Sequence, residues 1–138
     1  MPPAKPPAPE ATILVVDDEV LVRTAIAEYL RDCGYRVIEA AHAEEAVTVL
    51  QDAELSVDIV LSAVEIRGAM DGFGLSRWVR EHRPDVQLVL AGTPQRAASS
   101  AADLCDRGPM LARPYEPQLV SDRIKRMLAG RKPPSGKA

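Results

Sequence analysis

This sequence of 138 residues is poor in cysteine, in positive charge and in long apolar runs. Its two cysteines, Cys33 and Cys105, suit neither a zinc site nor a disulfide scaffold, so we expect both to be reduced and buried. The net charge of -3 disfavours nucleic acid as a partner. No apolar stretch is long enough for a membrane span or a signal peptide, so no membrane partner and a cytoplasmic location are expected.

The remaining composition predicts one globular domain with a tail at each end. Hydrophobic residues make up 46% of the chain, and a chain of this length buries roughly two-thirds of its unfolded surface. Residues 1–11 are rich in proline, and residues 130–138 are short, polar and basic, so both segments are expected to be disordered or flexible. The domain is therefore expected to span residues 12–129.

Short β-branched runs alternate with helical patterns between these tails, which is typical of βαβ units in a parallel sheet. The predicted strands are residues 12–16, 36–39, 58–61, 86–90 and 110–112. The predicted helices are residues 20–32, 43–52, 72–81, 95–104 and 118–128. The fold class is therefore α/β with a doubly wound five-stranded parallel sheet, whose reactive site lies beyond the carboxyl ends of the strands.

Two adjacent carboxylates, Asp17 and Asp18, leave the first predicted strand and are followed by Glu19. Adjacent carboxylates repel each other, so both stay ionised without a large energetic cost only in water or near a cation. One interpretation is a solvated loop in which Asp18 or Glu19 favours the first turn of the next helix. The other is an acidic pocket for a hard divalent cation such as magnesium.

Three segments together resemble the receiver domain of two-component response regulators. Residues 13–19 (ILVVDDE) are similar to its first strand and acidic pair, and residues 70–73 (MDGF) to the turn that opens its third helix. Residues 113–115 (RPY) stand where the family usually has Lys-Pro followed by an aromatic residue. The resemblance covers residues 12–128 and implies a flavodoxin-like (βα)5 fold with strand order 2-1-3-4-5.

The resemblance also implies that the reaction pocket has degenerated. Asp17 and Asp18 match the pair that holds magnesium in active receivers. The positions of the phosphoacceptor aspartate, the hydroxyl residue, the lysine and the aromatic switch residue are occupied by Ala63, Ala91, Arg113 and Met110, respectively. Alanine cannot accept a phosphoryl group. We therefore expect a non-enzymatic pseudo-receiver, a single-domain interaction module that acts in a two-component phosphorelay without being phosphorylated.

A weakened metal site follows from the same resemblance. The family holds magnesium with the acidic pair, the acceptor carboxylate and a backbone carbonyl, here that of Glu65. Magnesium is therefore expected to bind weakly or not at all, and no cofactor is required. Because a guanidinium bridges carboxylates well, we hypothesise that Arg113 pairs with Asp17 or Asp18 instead of a metal.

The expected partners are a histidine kinase, a phosphotransfer protein or an output protein of a two-component pathway. Active receivers dock partners through the fourth helix, fifth strand and fifth helix, and meet phosphodonors with the first helix. The fourth predicted helix carries a run of small residues, 97–102 (AASSAA), that would allow close approach. A homodimer through this surface is a further expectation.

Three alternatives remain open. The chain could be a receiver phosphorylated at an unusual acceptor such as Glu65, or an inactive mutant of a conventional receiver. Asp58 is excluded as an acceptor because it begins its strand, roughly 16 Å from the carboxyl end. The third alternative is a magnesium-dependent phosphatase, which needs an aspartate two residues after its nucleophile, where Glu19 follows Asp17 here.

Overall fold

The structure is a computed structural model that describes residues 11–108 and 114–129. Within these ranges four parallel strands follow the order β2-β1-β3-β4. They are β1 (Thr12–Val16), β2 (Arg36–Ala40), β3 (Ile59–Ala63) and β4 (Gln87–Ala91). The predicted α/β class is confirmed, as is the strand order for these four. The predicted fifth strand, residues 110–112, and both predicted tails, apart from Ala11, lie outside the described residues.

In the part of the chain that the structure describes, five α-helices connect or follow the strands, at the places where helical patterns were predicted. They are α1 (Val20–Asp32), α2 (Ala43–Gln51), α3 (Gly72–His82), α4 (Pro94–Asp106) and α5 (Pro117–Ala129). One short 3-10 helix, Ala53–Leu55, was not predicted. It forms because the Asp52 carboxylate accepts a hydrogen bond from the Glu54 N–H at 2.9 Å, a local alternative to continuing α2.

Side-chain caps determine where α3 and α4 begin. Asp71 Oδ1 accepts the Gly74 N–H at 2.9 Å ahead of α3. Thr93 Oγ1 accepts the Arg96 N–H at 3.1 Å ahead of α4, where proline occupies an early helical position. Helix α4 follows β4 after Gly92 and Thr93, and α3 follows β3 after residues 64–71, so each cap also fixes the end of a loop at the carboxyl end of the sheet.

The sheet carries a helical layer on each face. Helices α1, α4 and α5 share one apolar core, in which Tyr29, Leu30 and Ile124 are fully buried. Helices α2 and α3 share the other, in which Leu75 is fully buried and Leu50 nearly so. The β1 strand between these layers is buried along its whole length. None of the helices in the described ranges is long and apolar enough to cross a membrane.

A disulfide joins Cys33 and Cys105, so the prediction that both cysteines are reduced is wrong. Cys33 directly follows α1 and Cys105 lies in the last turn of α4, 72 residues later, with 5.4 Å between their Cα atoms. The predicted burial is confirmed, since both side chains are at most 1% exposed. The pairing arises because α4 packs on α1, and local sequence patterns do not reveal which face of a sheet a helix covers.

Candidate functional site

The carboxyl ends of β1, β3 and β4 enclose a half-open cavity of about 280 Å³. The strand register places Val16 beside Ser62, and Ala63 beside Ala91. The loops that follow these strands complete the walls, so the cavity lies where a doubly wound sheet is expected to have its site. The predicted site residues that line it are Asp17, Asp18, Ala63, Glu65 and Ala91.

Asp17 is a partly buried carboxylate that backbone groups hold in place. Its Oδ1 accepts the Glu19 N–H at 2.9 Å, and its own N–H donates to the Ala40 carbonyl at 3.1 Å. Burial raises the pKa of the Asp17 carboxyl to about 7, the Asp18 charge adds to the rise, and Arg23 opposes it. A substantial fraction of Asp17 is therefore protonated at neutral pH, which is unusual for an aspartate.

Asp18 contacts the loop that follows β3. Its Oδ2 accepts the backbone N–H of Arg67 at 2.8 Å and lies 3.4 Å from the Nε of the same residue. The Arg67 side chain is 87% exposed, so solvent screens the ion pair strongly. The backbone hydrogen bond is the firmer contact, and it ties the loop after β1 to the loop after β3.

Arg23 is a site residue that no sequence motif identified. It lies in the first turn of α1, where its Nη1 donates to the Asp17 carbonyl at 2.8 Å and its Nε to a Glu39 carboxylate oxygen at 3.1 Å. Glu39 is the signal in the sequence that could have identified Arg23. Strand pairing places Glu39 beside Val15 of β1, and Arg23, early in the helix that follows β1, is close enough to pair with it.

Ala63 and Ala91 occupy the ends of two neighbouring strands in the cavity wall. They are register partners, and the Val64 N–H donates to the Ala91 carbonyl at 3.3 Å. Their methyl groups supply neither a nucleophile, a hydroxyl nor a metal ligand. Thr93 also lines the cavity, two residues after Ala91, but its hydroxyl accepts the N-cap hydrogen bond of α4.

The other residues predicted for the site lie at the cavity, at the far end of the sheet or outside the described residues. Glu65 lines the cavity with an exposed side chain. Asp58 lies at the opposite end of the sheet, where its carboxylate accepts the Thr12 N–H at 2.9 Å, which agrees with its exclusion as an acceptor. Met110 and Arg113 lie outside the described residues. The predicted pairing of Arg113 with the acidic residues therefore stays a prediction.

Gly72 brings the start of α3 against the end of β3. Its N–H donates to the Val64 carbonyl at 2.8 Å. A Cβ at this position would lie only 2.2 Å from the Ala63 carbonyl oxygen and 2.9 Å from the Val64 Cα. Because both are backbone atoms, no side-chain rotation would relieve the overlap, and glycine is needed here for the close approach.

The residues at this cavity fit a magnesium ion poorly. Magnesium requires several oxygen ligands in near-octahedral geometry. Asp17 and Asp18 supply two carboxylates, of which Asp18 already contacts Arg67, and Ala63 supplies none. In the two described ranges, no group of three or more His, Cys, Asp and Glu side chains is arranged to hold a metal.

Residues 13–114 match the family described as the response regulator receiver domain. The chain is 32% identical over 119 residues to the sensor kinase CckA of Brucella abortus, which covers 86% of this chain and 12% of that protein. It is 28% identical over 119 residues to the transcriptional regulatory protein ResD of Bacillus subtilis, covering 86% and 48%. The chain thus spans about half, or much less, of the length of these curated relatives.

Solved structures show the same fold. A response regulator receiver domain protein from Clostridium thermocellum matches with a TM-score of 0.56 and 22% identity, covering 86% of this chain and 94% of that one. The receiver domain of NtrX from Brucella abortus matches with a TM-score of 0.55 and 24% identity, covering 86% and 99%. At these identities the likeness supports the flavodoxin-like receiver fold alone.

Proposed function

This chain belongs to the response regulator receiver domain family, and we propose that it acts in two-component signalling as a pseudo-receiver. In this proposal it docks its partners without being phosphorylated, has no enzymatic activity and requires no cofactor. The observation that carries the proposal is Ala63, which ends β3 in the same cavity as Asp17 and Asp18. The family resemblance places the phosphoacceptor aspartate at this position.

The chemistry of the cavity supports this proposal. Phosphoryl transfer depends on a positioned nucleophile and on groups that stabilise the developing charge. Ala63 provides no nucleophile, and Ala91 provides no hydroxyl for a phosphoryl oxygen. Asp17 is partly protonated near neutral pH because its pKa is about 7, which further weakens it as a metal ligand.

Phosphodonor labelling tests the absence of phosphorylation. The protein is incubated with acetyl phosphate and magnesium, and its intact mass is measured, with a conventional receiver as positive control. We expect no phosphoryl adduct on the natural sequence. An adduct mapped to Glu65 would contradict the proposal and support the alternative of a receiver with an unusual acceptor.

Restoring the carboxylate separates a degenerate pocket from an inactive mutant. We expect Ala63→Asp to label slowly at most, because Ala91 still lacks a hydroxyl and Asp18 remains bonded to Arg67. Labelling of Ala63→Asp as fast as that of the conventional receiver would instead favour the inactive-mutant alternative.

The same pair of proteins tests magnesium binding. Calorimetric titration is expected to show a magnesium affinity for the natural chain at least ~10-fold weaker than for Ala63→Asp.

We further propose that partners dock on the outer face of α4, defined here as the exposed residues Arg96, Ser99 and Asp103. Of the small residues 97–102 that suggested close approach, only Ser99 belongs to this face. Four of them, Ala97, Ala98, Ala101 and Ala102, are buried, and the first three belong to the core shared with α1 and α5. Close approach through an alanine surface is therefore not available, and recognition on the outer face would rest on polar side chains.

Binding measurements with a histidine kinase or phosphotransfer domain of the source organism test this surface. Ser99→Arg is expected to weaken binding by at least ~10-fold, whereas Thr48→Arg, on the exposed side of α2, is a matched control that should bind normally. If Ser99→Arg binds normally and Val20→Arg does not, docking occurs on α1, where Val20 is 55% exposed. Sedimentation of Ser99→Arg would show in parallel whether a homodimer uses the outer face.

A further inference from the structure

Helix α4 is attached to the domain by unusually small side chains. Its buried residues are four alanines, Leu104 and Cys105. Hydrophobic stabilisation scales with the apolar area removed from water, and an alanine contributes a single methyl group to that area. Leu104 is the only large apolar side chain among the buried residues of this helix. Side-chain packing by itself therefore holds α4 only weakly against α1 and α5.

The contacts that compensate are concentrated at the C-terminal end of α4. The Cys33–Cys105 disulfide joins this end to the residue that follows α1. One residue before Cys105, the Leu104 carbonyl accepts a hydrogen bond from the Tyr35 hydroxyl. Gly108 lies against the Tyr35 ring, so closely that a Cβ there would meet a ring carbon at 2.8 Å. A covalent bond and one tyrosine therefore hold the last turn of α4 in place.

We propose that Cys33 and Cys105 form a thiol–disulfide switch, in which the disulfide fixes the C-terminal half of α4 on α1 and the dithiol releases it. Oxidation balances with a small-molecule disulfide such as glutathione disulfide. One sulfur–sulfur bond forms in the protein while that of the oxidant breaks. The two cysteine thiols give up two electrons and two protons, and the oxidant leaves as two thiols.

Burial of both sulfurs determines how the switch operates. The Cys33 and Cys105 side chains are at most 1% exposed, so an attacking thiolate reaches them only after local opening of the structure. The hydrogen bond from the Tyr35 hydroxyl to the Leu104 carbonyl opposes that opening. Tyr35→Phe is therefore expected to speed reduction by a small thiol about threefold or more, while the disulfide itself still forms.

Hydrogen exchange on the full chain tests the switch. The protein is oxidised with glutathione disulfide or reduced with dithiothreitol, and its thiols are counted by alkylation and mass spectrometry. We expect reduction to lower the protection of amides in residues 101–106 at least ~10-fold. Amides of α2, which lies on the other face of the sheet, serve as the internal reference and should keep their protection.

Several outcomes would overturn the switch. One is that both thiols stay free after treatment with glutathione disulfide. A second is that reduction leaves the protection of α4 unchanged. A third is that α2 loses protection together with α4, because the bond would then hold the whole fold rather than one helix. Cys105→Ala is the control, and its exchange pattern should not respond to reductant.

The structural switch is independent of partner docking, and only its effect on docking rests on the proposed function. If the outer face of α4 binds partners, their affinity should differ at least ~10-fold between the oxidised and reduced protein. If reduction alters the hydrogen exchange of α4 but leaves partner affinity unchanged, the structural switch is supported and its control of docking is contradicted. Normal affinity in Ser99→Arg would instead contradict the docking surface itself.

Discussion

Two adjacent carboxylates, Asp17 and Asp18, meet different environments at the end of β1. Asp18 receives a backbone N–H from Arg67 across the cavity and stands near that residue's guanidinium. Asp17 is more enclosed, and the arginine closest in sequence, Arg23, donates to its backbone carbonyl rather than to its carboxylate. The cost of burying a charge therefore falls on Asp17, which is why its pKa rises to about 7.

The protonation of Asp17 makes stability depend on pH. Its pKa is about 7 in the native state against an ordinary value of 3.8. Between these values the native state holds a proton that the unfolded state has lost, so the contribution of Asp17 to stability falls as pH rises from about 4 to about 7. Asp17→Asn removes this loss and is expected to raise the free energy of unfolding by about 2–4 kcal/mol near pH 8, with little change near pH 4.

Urea unfolding of both proteins across this pH range measures the effect. Asparagine retains an acceptor for the Glu19 N–H, so the local turn is preserved. Glu65→Gln is the matched control, because it neutralises an exposed carboxylate at the same cavity that carries no comparable burial cost. Parallel stability curves for the natural chain and Asp17→Asn would refute the assignment of this pH dependence to Asp17.

The sequence predicts for some residues of the site, but not for others, that they lie close together in the fold. Asp17 directly follows β1, Ala63 and Ala91 end β3 and β4, and the ends of parallel strands share one edge of the sheet. Arg67 reaches Asp18 through its backbone N–H, a group that every residue except proline possesses. Because the contact does not depend on the arginine side chain, the identity of residue 67 carries little signal for it.

The junction between β3 and α3 is a close backbone contact. The start of α3 lies directly on the end of β3, with Gly72 against the Ala63 carbonyl. The Asp71 cap orients the first turn of the helix, and the hydrogen bond from Gly72 to Val64 fixes its distance from the strand. The position of Ala63 in the cavity is thus determined by its strand and by the helix above it.

Gly72→Ala is expected to lower the free energy of unfolding by about 2–3 kcal/mol. The added Cβ would lie 2.2 Å from the Ala63 carbonyl oxygen, so the helix start must shift away from the strand. Gly92→Ala is the matched control at the same end of the sheet, since no heavy atom outside the two adjoining residues lies within 4 Å of a Cβ there, and it should change stability by less than about 0.5 kcal/mol. Chemical denaturation measures both, and equal effects would contradict the close contact.

The elements themselves were largely predictable because their signals are local. The predicted bounds of β1 and α1 are confirmed at residues 12–16 and 20–32, where an apolar run is followed by helical spacing. The 3-10 helix was missed because it depends on one Asp52 hydrogen bond rather than on a periodic pattern. The disulfide was missed because it depends on α4 lying on the α1 face, a tertiary property that neither cysteine signals in its neighbourhood.

Tyr35→Phe tests how the last turn of α4 is held in the oxidised protein. The change removes the hydroxyl that donates to Leu104 but retains the ring that packs against Gly108. We expect the free energy of unfolding to fall by about 1 kcal/mol, the usual contribution of a buried hydrogen bond. Urea unfolding of the oxidised proteins measures the change, and unchanged stability in Tyr35→Phe would contradict the hydrogen-bond explanation.

The sheet divides the molecule into two apolar cores that depend on different kinds of contact. The core of α2 and α3 is closed by large side chains such as Leu50 and Leu75. The core of α1, α4 and α5 combines large residues on α1 and α5 with the alanines of α4 and contains the disulfide. Helix α4 and the Cys33–Cys105 disulfide thus lie in one half of the molecule, whereas α2 and α3 pack in the other half.

Core truncations on opposite faces should therefore respond differently to reduction. Ile124→Ala and Leu75→Ala each remove a fully buried side chain and are expected to cost about 2–5 kcal/mol in the oxidised protein. Because they lie on opposite faces, their costs should add within about 0.5 kcal/mol in the double variant. Reduction of the disulfide should leave the cost of Leu75→Ala unchanged and alter that of Ile124→Ala, since Ile124 shares a core with α4 and Leu75 does not. Urea unfolding with and without dithiothreitol measures both, and the same response of the two variants to reduction would show that the cores are coupled.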